Sequence, residues 1–512
     1  MPTETELKLQ LDSTALRRLR SHPLVNRWKL ARPVTRRELS VYFDTPGFDL
    51  RNRKTVLRVR HIGRRRIQTL KTAGDPAAGG WSRNEWEWEI AGDQPDLAPL
   101  RSGELAGLFA DDGLLQSLQP VFSTEVRRTA YRLGNGGWEV DLALDDGRVV
   151  AAGNEAPISE AELELKRGGL HQLFALAREL HADIPGRLAL LTKAQRGYAL
   201  LEGSKPTPVK AAAVALARDL SAGEALRSIA RACLSHYLAN QDCLAASRDA
   251  EAIHQMRVAL RRLRSAMNAF KALLDTPDSL WLREQLRWLS GRLGQARDID
   301  VFIADILQPV AGNAADAPGL ASLLADFEAR RGAAHAEVLG LLEDPRSTDL
   351  LLRLAEWSEG GDWLDSGDAD RRMLLDQPAK ALGQATLTSR HRKVRRAMRR
   401  LRELDPAQRH RLRINVKKLR YAVDFFSSLY PRGKPKKMVA ALGAVQDRLG
   451  LLNDIATSCR RLKTHAEETA DPERLWAAGI IAGWHAAHVD DLLDQAAENW
   501  KTYDRLARPW QP

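Results

Sequence analysis

The first eleven residues, MPTETELKLQL (1–11), decide how the front of this chain is read. Glu4, Glu6 and Lys8 stand at every second position, with Leu7 and Leu9 on the intervening ones. A strand sends alternate side chains to opposite faces, so the three charges share one face and the leucines the other. The same period of two returns in ELSVYFDT (38–45), TVLRVRHI (55–62), RRIQTLKT (65–72), NEWEWEI (84–90), GGWEVDLALDDG (136–147) and AELELKRG (161–168). Many short strands separated by turn residues predict an antiparallel sheet or a closed barrel. GDPAAGG (74–80) and GNGG (134–137) read as hairpin turns, and neither has nucleotide-fingerprint spacing. Two helical insertions are expected, near 12–21 and at GLHQLFALARELHA (169–182).

Glu4 with Glu6, Arg58 with Arg60, Glu85 with Glu87 and Glu162 with Glu164 are all pairs two residues apart, so each pair shares a face. On an open sheet such pairs would simply be solvated. Inside a closed barrel they make an ionic lumen whose like charges need a ligand to neutralise them. Opposed bases and carboxylates suit a phosphate chain accompanied by a hard divalent cation. Carboxylate oxygens with no nearby cysteine favour Mg²⁺ or Mn²⁺ over structural zinc. Arg127 and Arg128 point to opposite faces, and the sequence leaves open which one enters, as it does for Glu125. His22, His61, His171 and His181 lack metal spacing relative to the acidic pairs.

With 512 residues, two or more domains are expected. A net charge of +12 predicts affinity for a polyanion. Cys233, Cys243 and Cys459 have no zinc-site spacing and suit a reducing compartment. With no leader pattern and no uncharged apolar segment long enough to cross a bilayer, a cytoplasmic protein without membrane insertion is the default expectation.

After EGSKPTPVKAAA (202–213) the period becomes helical, with EWSEGGDWLDSGDAD (356–370) expected to be a loop between two helical groups. The helical part repeats itself. HQMRVALRRLRSAMNAF begins at His254 and HRLRINVKKLRYAVDFF at His410, an offset of 156. His254, Arg257, Arg261, Arg262, Arg264 and Phe270 match His410, Arg413, Lys417, Lys418, Arg420 and Phe426. The same offset joins Gly294 and Asp298 of LGQARDID to Gly450 and Asp454 of LGLLNDIA, which implies two homologous bundles about a local twofold axis. Met256, Leu260, Leu263, Met267 and Phe270 form a core stripe, as do Leu412, Val416, Leu419, Val423 and Phe426. The other stripe is basic in both copies, although like charges at helical spacing repel by roughly a few tenths of a kcal/mol per pair. Residues 389–420 hold fourteen lysines or arginines against Glu403 and Asp405. With no aromatics interleaved for base stacking, repeated phosphate contacts fit inorganic polyphosphate as well as nonspecific binding to a nucleic-acid backbone.

The helical part, over about 218–505, resembles the conserved histidine α-helical domain, CHAD, through its duplicated basic helix and LG-x3-D signatures. That resemblance implies polyphosphate binding through His254, Arg257, Arg261, Arg262, Arg264, His410, Arg413, Lys417, Lys418 and Arg420. Residues 3–202 resemble the CYTH domain of the triphosphate tunnel metalloenzymes. The resemblance runs through Glu4, Glu6, Lys8, Arg58, Arg60, Lys71, Glu85, Glu87, Asp145, Glu162, Glu164 and Lys193, in that order. It implies an eight-stranded antiparallel tunnel at 1–203, a linker at 204–217 and an all-α domain at 218–505, with repeats at about 218–350 and 375–505. The implied activity is metal-dependent hydrolysis of inorganic triphosphate to pyrophosphate and phosphate, in the cytoplasm or at polyphosphate granules. Glu4, Glu6, Glu162 and Glu164 would hold Mg²⁺ or Mn²⁺. Glu87 or Asp145 would complete the acidic wall, and Lys8, Arg58, Arg60, Lys71, Arg128 and Lys193 would clamp phosphate. Rival readings are a nucleoside or thiamine triphosphatase, and a polyanion-binding scaffold without turnover. Trp86 and Trp88, flanking the inward glutamates, should face outward, against a covering helix or neighbouring domain.

Overall fold

The computed structural model describes residues 3–73, 81–313, 317–364, 369–431, 433–469 and 471–511; the turn expected at 74–80 lies outside them. Nine strands form one antiparallel sheet: β1 (Thr3–Gln10), β2 (Val34–Asp44), β3 (Thr55–Ile62), β4 (Arg65–Ala73), β5 (Ser82–Ile90), β6 (Gln119–Gly134), β7 (Glu139–Ala151), β8 (Asn154–Arg167) and β9 (Arg187–Ala189). Their order is β5-β4-β3-β2-β6-β7-β8-β1-β9, and β1 also pairs with β5. That extra pairing, with Glu4 opposite Arg83, closes eight strands into a barrel and leaves the short β9 beside the far end of β1. Closure removes the exposed edges that an open sheet would present.

The barrel is built with its charges inside and its aliphatic residues outside. Leu7 and Leu9 of β1, Val140, Leu142 and Leu144 of β7, and Ala161 and Leu163 of β8 point away from the lumen, yet all are buried. Helices cover them. Ser13–Arg20 packs on β7 and β8 with Ala15, Leu16 and Leu19, while Leu170–Asp183 packs on β8. On the opposite wall Phe43, Leu57, Val59 and Leu70 lie under Leu100, Leu105, Phe109 and Leu114, and Trp86 and Trp88 join that outer cluster. Each fully buried leucine contributes roughly 1.5–3 kcal/mol relative to exposure, so the coat is what makes an ionic interior affordable. The two expected insertions are present, and the coat exceeds them: Leu97–Leu100, Asp112–Gln116 and Lys193–Leu201 are helical too. Those segments are too short to show a convincing 3.6-residue period.

The chain divides into two compact units. The first runs to Lys210 and also takes in Leu234–Met256 and Leu342–Gly361; the second comprises Ala211–Cys233, Arg257–Leu341 and the chain from Asp362. Within the first unit, the helix Pro345–Gly360 packs on Leu170–Asp183, where Arg178 pairs with Glu356 and His181 Nε2 lies 2.9 Å from the Pro345 carbonyl oxygen. The loop expected at 356–370 therefore begins as helix, since Leu354, Ala355 and Trp357 are buried; residues 365–368 are outside the described set.

The second unit is helical. Its basic helices continue to Ala269 and span Pro406–Phe425, and the LG-x3-D segments lie on Pro277–Val301 and Lys434–Thr469. Phe270 and Phe426, equivalent in the repeat, meet each other with ring centroids 6.0 Å apart. Equivalent residues in mutual contact mark a local twofold axis.

Candidate active site and anion surface

Two carboxylate groups in the lumen, both drawing on strand β8, carry different balances of charge. On one side, the β1–β8 register sets Lys8 across from Glu162. Lys8 Nζ lies 3.2 Å from Glu162 Oε1 and 3.5 Å from Glu160 Oε1. Arg128 donates to Asp145 from Nε at 2.7 Å and Nη2 at 2.5 Å, and from Nη2 to Glu162 at 2.5 Å. The helix Lys193–Leu201 inserts Lys193 among the same acids, with Nζ 2.7 Å from Asp145, 2.6 Å from Glu160 and 2.7 Å from Glu162. One turn on, Arg196 reaches Glu160 Oε2 at 2.9 Å.

This lysine helix is positioned from outside the barrel sequence. Thr192 and Gln195 form its capping box. The amides of Leu190 and Leu191 both donate to Asp242 Oδ2 at 2.8 Å, and Arg187 Nη1 donates to Asp242 Oδ1 at 2.6 Å.

On the other side, Lys71 Nζ is 2.5 Å from Glu4 Oε2 and 3.2 Å from Glu85 Oε1, while Lys166 pairs with Glu164. The carboxylates of Glu4, Glu85 and Glu164 lie within 4.8 Å of one another, as do those of Asp145, Glu160 and Glu162. The two groups are not equivalent. Asp145, Glu160 and Glu162 face four cations, Lys8, Arg128, Lys193 and Arg196. Burial pushes Glu162 up, but Lys193, Lys8 and Arg128 outweigh it and hold the group well below the usual carboxylate range. Asp145 is likewise held down by Arg128 and Lys193 against its burial. Glu4, Glu6, Glu85 and Glu164 pair with Lys71 and Lys166, and Glu6 also with Lys8 at 3.6 Å, a cation it shares with Glu160 and Glu162. Burial, then Glu162, pushes Glu6 up in spite of Lys8 and Lys71, and burial pushes Glu164 up in spite of Lys166. An all-oxygen donor set in which carboxylates outnumber their cations fits a hard divalent cation.

Arg58 and Arg60 occupy the third part of the wall. Arg60 Nη2 and Thr69 Oγ1 each donate to Glu87 Oε1 at 3.0 Å. Burial raises Glu87, but Arg60 and Arg58 outweigh it and keep the group below its ordinary range. One cleft is lined by Arg58, Arg128, Lys193, Glu38, Ser40 and Asp145 among others. A second is lined by Glu4, Glu6, Lys8, Trp81 and Arg83 among others.

The expected metal set is thus divided. Glu4 and Glu164 converge with Glu85, Glu6 stands between the groups, and Glu162 is saturated by cations on the other side. Arg128 enters the lumen; Arg127 is exposed, as is Glu125, whose carboxylate pairs with Arg148 at 2.7 Å. Glu38, Glu160 and Arg196 are lumen residues that sequence reasoning passed over. The signal for Glu160 was present, since ISEAELELK (158–166) continues the alternation one step earlier.

In the helical unit, Arg257 Nη2 lies 3.3 Å from Asp298 Oδ1. Gly294 makes room for it: a Cβ there would meet Arg257 Nη1 at 2.5 Å, and one at Gly450 would meet Arg413 Nε at 3.5 Å. The repeated LG-x3-D signature is therefore a seat for an arginine from the basic helix. Arg257, Arg261, Arg413 and Lys417 crowd together, and burial followed by Arg413 and Arg261 brings Lys417 down to about 6. Arg420 lies over the Tyr421 ring, and His410 Nδ1 pairs with Asn453 Oδ1. Arg264 is exposed and Lys418 half-buried. Arg262 departs from the expected anion surface. It is 2% exposed, with Nη2 donating to Asp424 and to the Ala212 carbonyl, both at 3.0 Å, because adjacent helical residues point about 100° apart. His254 falls in the first unit and Arg257 begins the next stretch of the second.

Residues 2–198 match the family described as CYTH domain, and residues 228–463 match the family described as CHAD domain. The crystal structure of the CHAD domain from the plant Ricinus communis is similar with a TM-score of 0.51 and 30% identity, covering 59% of this chain and 98% of that one. An inorganic triphosphatase of Haemophilus influenzae is 36% identical over 168 residues, which is 32% of this chain and 46% of that relative. The chain thus spans less than half the length of that curated relative.

Proposed function

Because the chain belongs to the CHAD family and carries a CYTH domain at residues 2–198, we propose that its barrel hydrolyses inorganic triphosphate to pyrophosphate and phosphate. The charge division of the lumen carries this reading: one carboxylate group is poor in cations and the other rich in them. Arg58, Arg60, Arg128 and Lys193 bind the phosphoryl oxygens and stabilise the charge that builds on them during transfer. Lys8, paired with Glu6 as well as with Glu160 and Glu162, links the two carboxylate groups. Glu4, Glu85 and Glu164, with Glu6 beside them, would hold a divalent cation, Mg²⁺ or Mn²⁺, which when bound supplies Lewis-acid polarisation and lowers the pKa of water. The acidic wall orients the attacking water, and the barrel's closed sides keep bulk solvent from the reacting phosphorus.

One observation favours the organic-triphosphate reading. Trp81 lines the cavity beside Glu4 and Glu6 and could stack on a ring. Its edge is already packed on Phe174, with centroids 5.4 Å apart, so the inorganic substrate stays preferred. The helical unit binds inorganic polyphosphate through Arg257, Arg261, Arg413 and Lys417, whose mutual repulsion a polyanion relieves. A phosphate-release assay with Mg²⁺ or Mn²⁺ on triphosphate, ATP, thiamine triphosphate and long-chain polyphosphate tests the assignment. Fastest release from inorganic triphosphate is expected. Release from ATP far above it transfers the barrel to nucleotides, and no release with either metal leaves a binding scaffold.

A further inference from the structure

The duplication of the helical unit is broken at one pair of residues. At the offset of 156, Arg262 corresponds to Lys418 and Asn268 to Asp424. In one direction the pair is complete: Arg262 donates to Asp424 at 3.0 Å. In the other, Lys418 would need an acid at position 268, and a neutral amide stands there. Its charged neighbours are Arg390, Lys393 and Arg264, which, after burial, all push the Lys418 ammonium down. Arg390 bridges the broken pair, with Nη1 donating to the Lys418 carbonyl at 2.6 Å and Nη2 to Asn268 Oδ1 at 3.4 Å. Arg264 in turn faces Arg287.

The basic run explains why this happens in one half alone. Arg390 and Lys393 correspond to Leu234 and Tyr237 of the first repeat, both buried apolar residues. Five cations therefore gather around the broken pair: Arg390 ties the Lys418 backbone to Asn268, Arg264 and Lys393 bear on the Lys418 ammonium, and Arg287 on Arg264. Such a surface costs free energy unless an anion covers it.

We propose that Lys418, Arg264, Arg287, Arg390 and Lys393 form a second anion subsite, present once, that takes further phosphates of a chain already held by Arg257, Arg261, Arg413 and Lys417. It rests on the polyphosphate reading above. Arg264, which acts on Lys418, lies one turn beyond Arg261 on the same basic helix, so the two clusters meet along that helix. The polymer track is consequently lopsided about an otherwise twofold scaffold.

The decisive variant is Asn268→Asp, which restores the missing acid without changing side-chain size. Long-chain polyphosphate is titrated onto the full chain, in chelator so that the barrel is metal-free, at several salt concentrations. Asn268→Asp, and separately the exposed-site variant Lys393→Gln, should each weaken binding about three- to tenfold and reduce the salt slope by about one. A melting temperature close to that of the unaltered protein checks that Asn268→Asp folds. If the unaltered protein binds polyphosphate and both variants match it, the subsite is wrong while the broader reading survives. If the unaltered protein binds no polyphosphate, that reading falls and the subsite with it. If duplex DNA loses affinity in the variants and polyphosphate does not, the occupant is nucleic acid and the proposal is overturned.

Discussion

Lys193 Nζ stands 2.7 Å from Asp145 Oδ2, and the Asp145 side chain is fully buried. The lysine serves as counter-ion for Glu160 and Glu162 as well, so its removal strands acids that cannot reach water. Lys193→Met should therefore destabilise the first unit by about 3–5 kcal/mol, the usual cost of breaking a buried pair from one side. Urea denaturation followed by the barrel's tryptophan fluorescence would measure it. A loss below ~1 kcal/mol would mean that Arg128, Lys8 and Arg196 compensate alone.

If the cation sits at Glu4, Glu85 and Glu164, as proposed, the two acidic groups should respond differently to loss of a carboxylate. Glu4→Gln or Glu164→Gln should weaken Mn²⁺ binding about tenfold or more, whereas Glu160→Gln should leave it near the unaltered value. Direct Mn²⁺ titration by paramagnetic resonance reads this without reference to turnover. Equal losses in all three would return the metal to the Asp145 side.

Anion binding by the helical unit should take up a proton. Lys417, facing Arg413, Arg261, Arg257 and Asp454, is brought to about 6, so it is largely neutral at pH 7.5 until an anion arrives. The sign follows: affinity for polyphosphate falls as pH rises from about 6 to 8. Because the unfolded chain's lysine titrates near ~10.4, anion-free stability instead rises with pH above about 6. Lys417→Arg stays charged and should flatten the binding profile. Calorimetry in two buffers of different ionisation enthalpy counts the proton directly, and no uptake in either would refute the linkage.

The glycine seats should respond unequally. At Gly294 an added Cβ meets the Arg257 guanidinium at 2.5 Å, while at Gly450 the Arg413 contact is an ordinary 3.5 Å. A side-chain end can swing away, so Gly294→Ala should not unfold the helix and gains up to about 0.5–1 kcal/mol of helix propensity. It should instead move Arg257 off Asp298 and lower polyphosphate affinity a few-fold. Gly450→Ala should leave affinity unchanged; the reverse order would disprove the seat.

Strand alternation made the barrel and most of its lumen legible, because a period of two assigns faces without any tertiary knowledge. Glu4, Glu6 and Lys8 needed nothing more. What alternation cannot give is which partner stands across the lumen. Glu162 and Glu164 read as equivalent in sequence, yet register brings one to Lys8 and the other to Glu6. Twin cations such as Arg261 and Arg262 look interchangeable on paper, and their helical separation sends one to the cluster and the other to Asp424. Asp242 gave no signal at all, since its main partners are backbone amides some fifty residues away.

Asp242 bears on where the chain can be divided. It lies within the stretch matched by the helical family, yet its side chain serves the loop that delivers Lys193. A chain trimmed between residues 204 and 217 would therefore lose a support for the lysine helix.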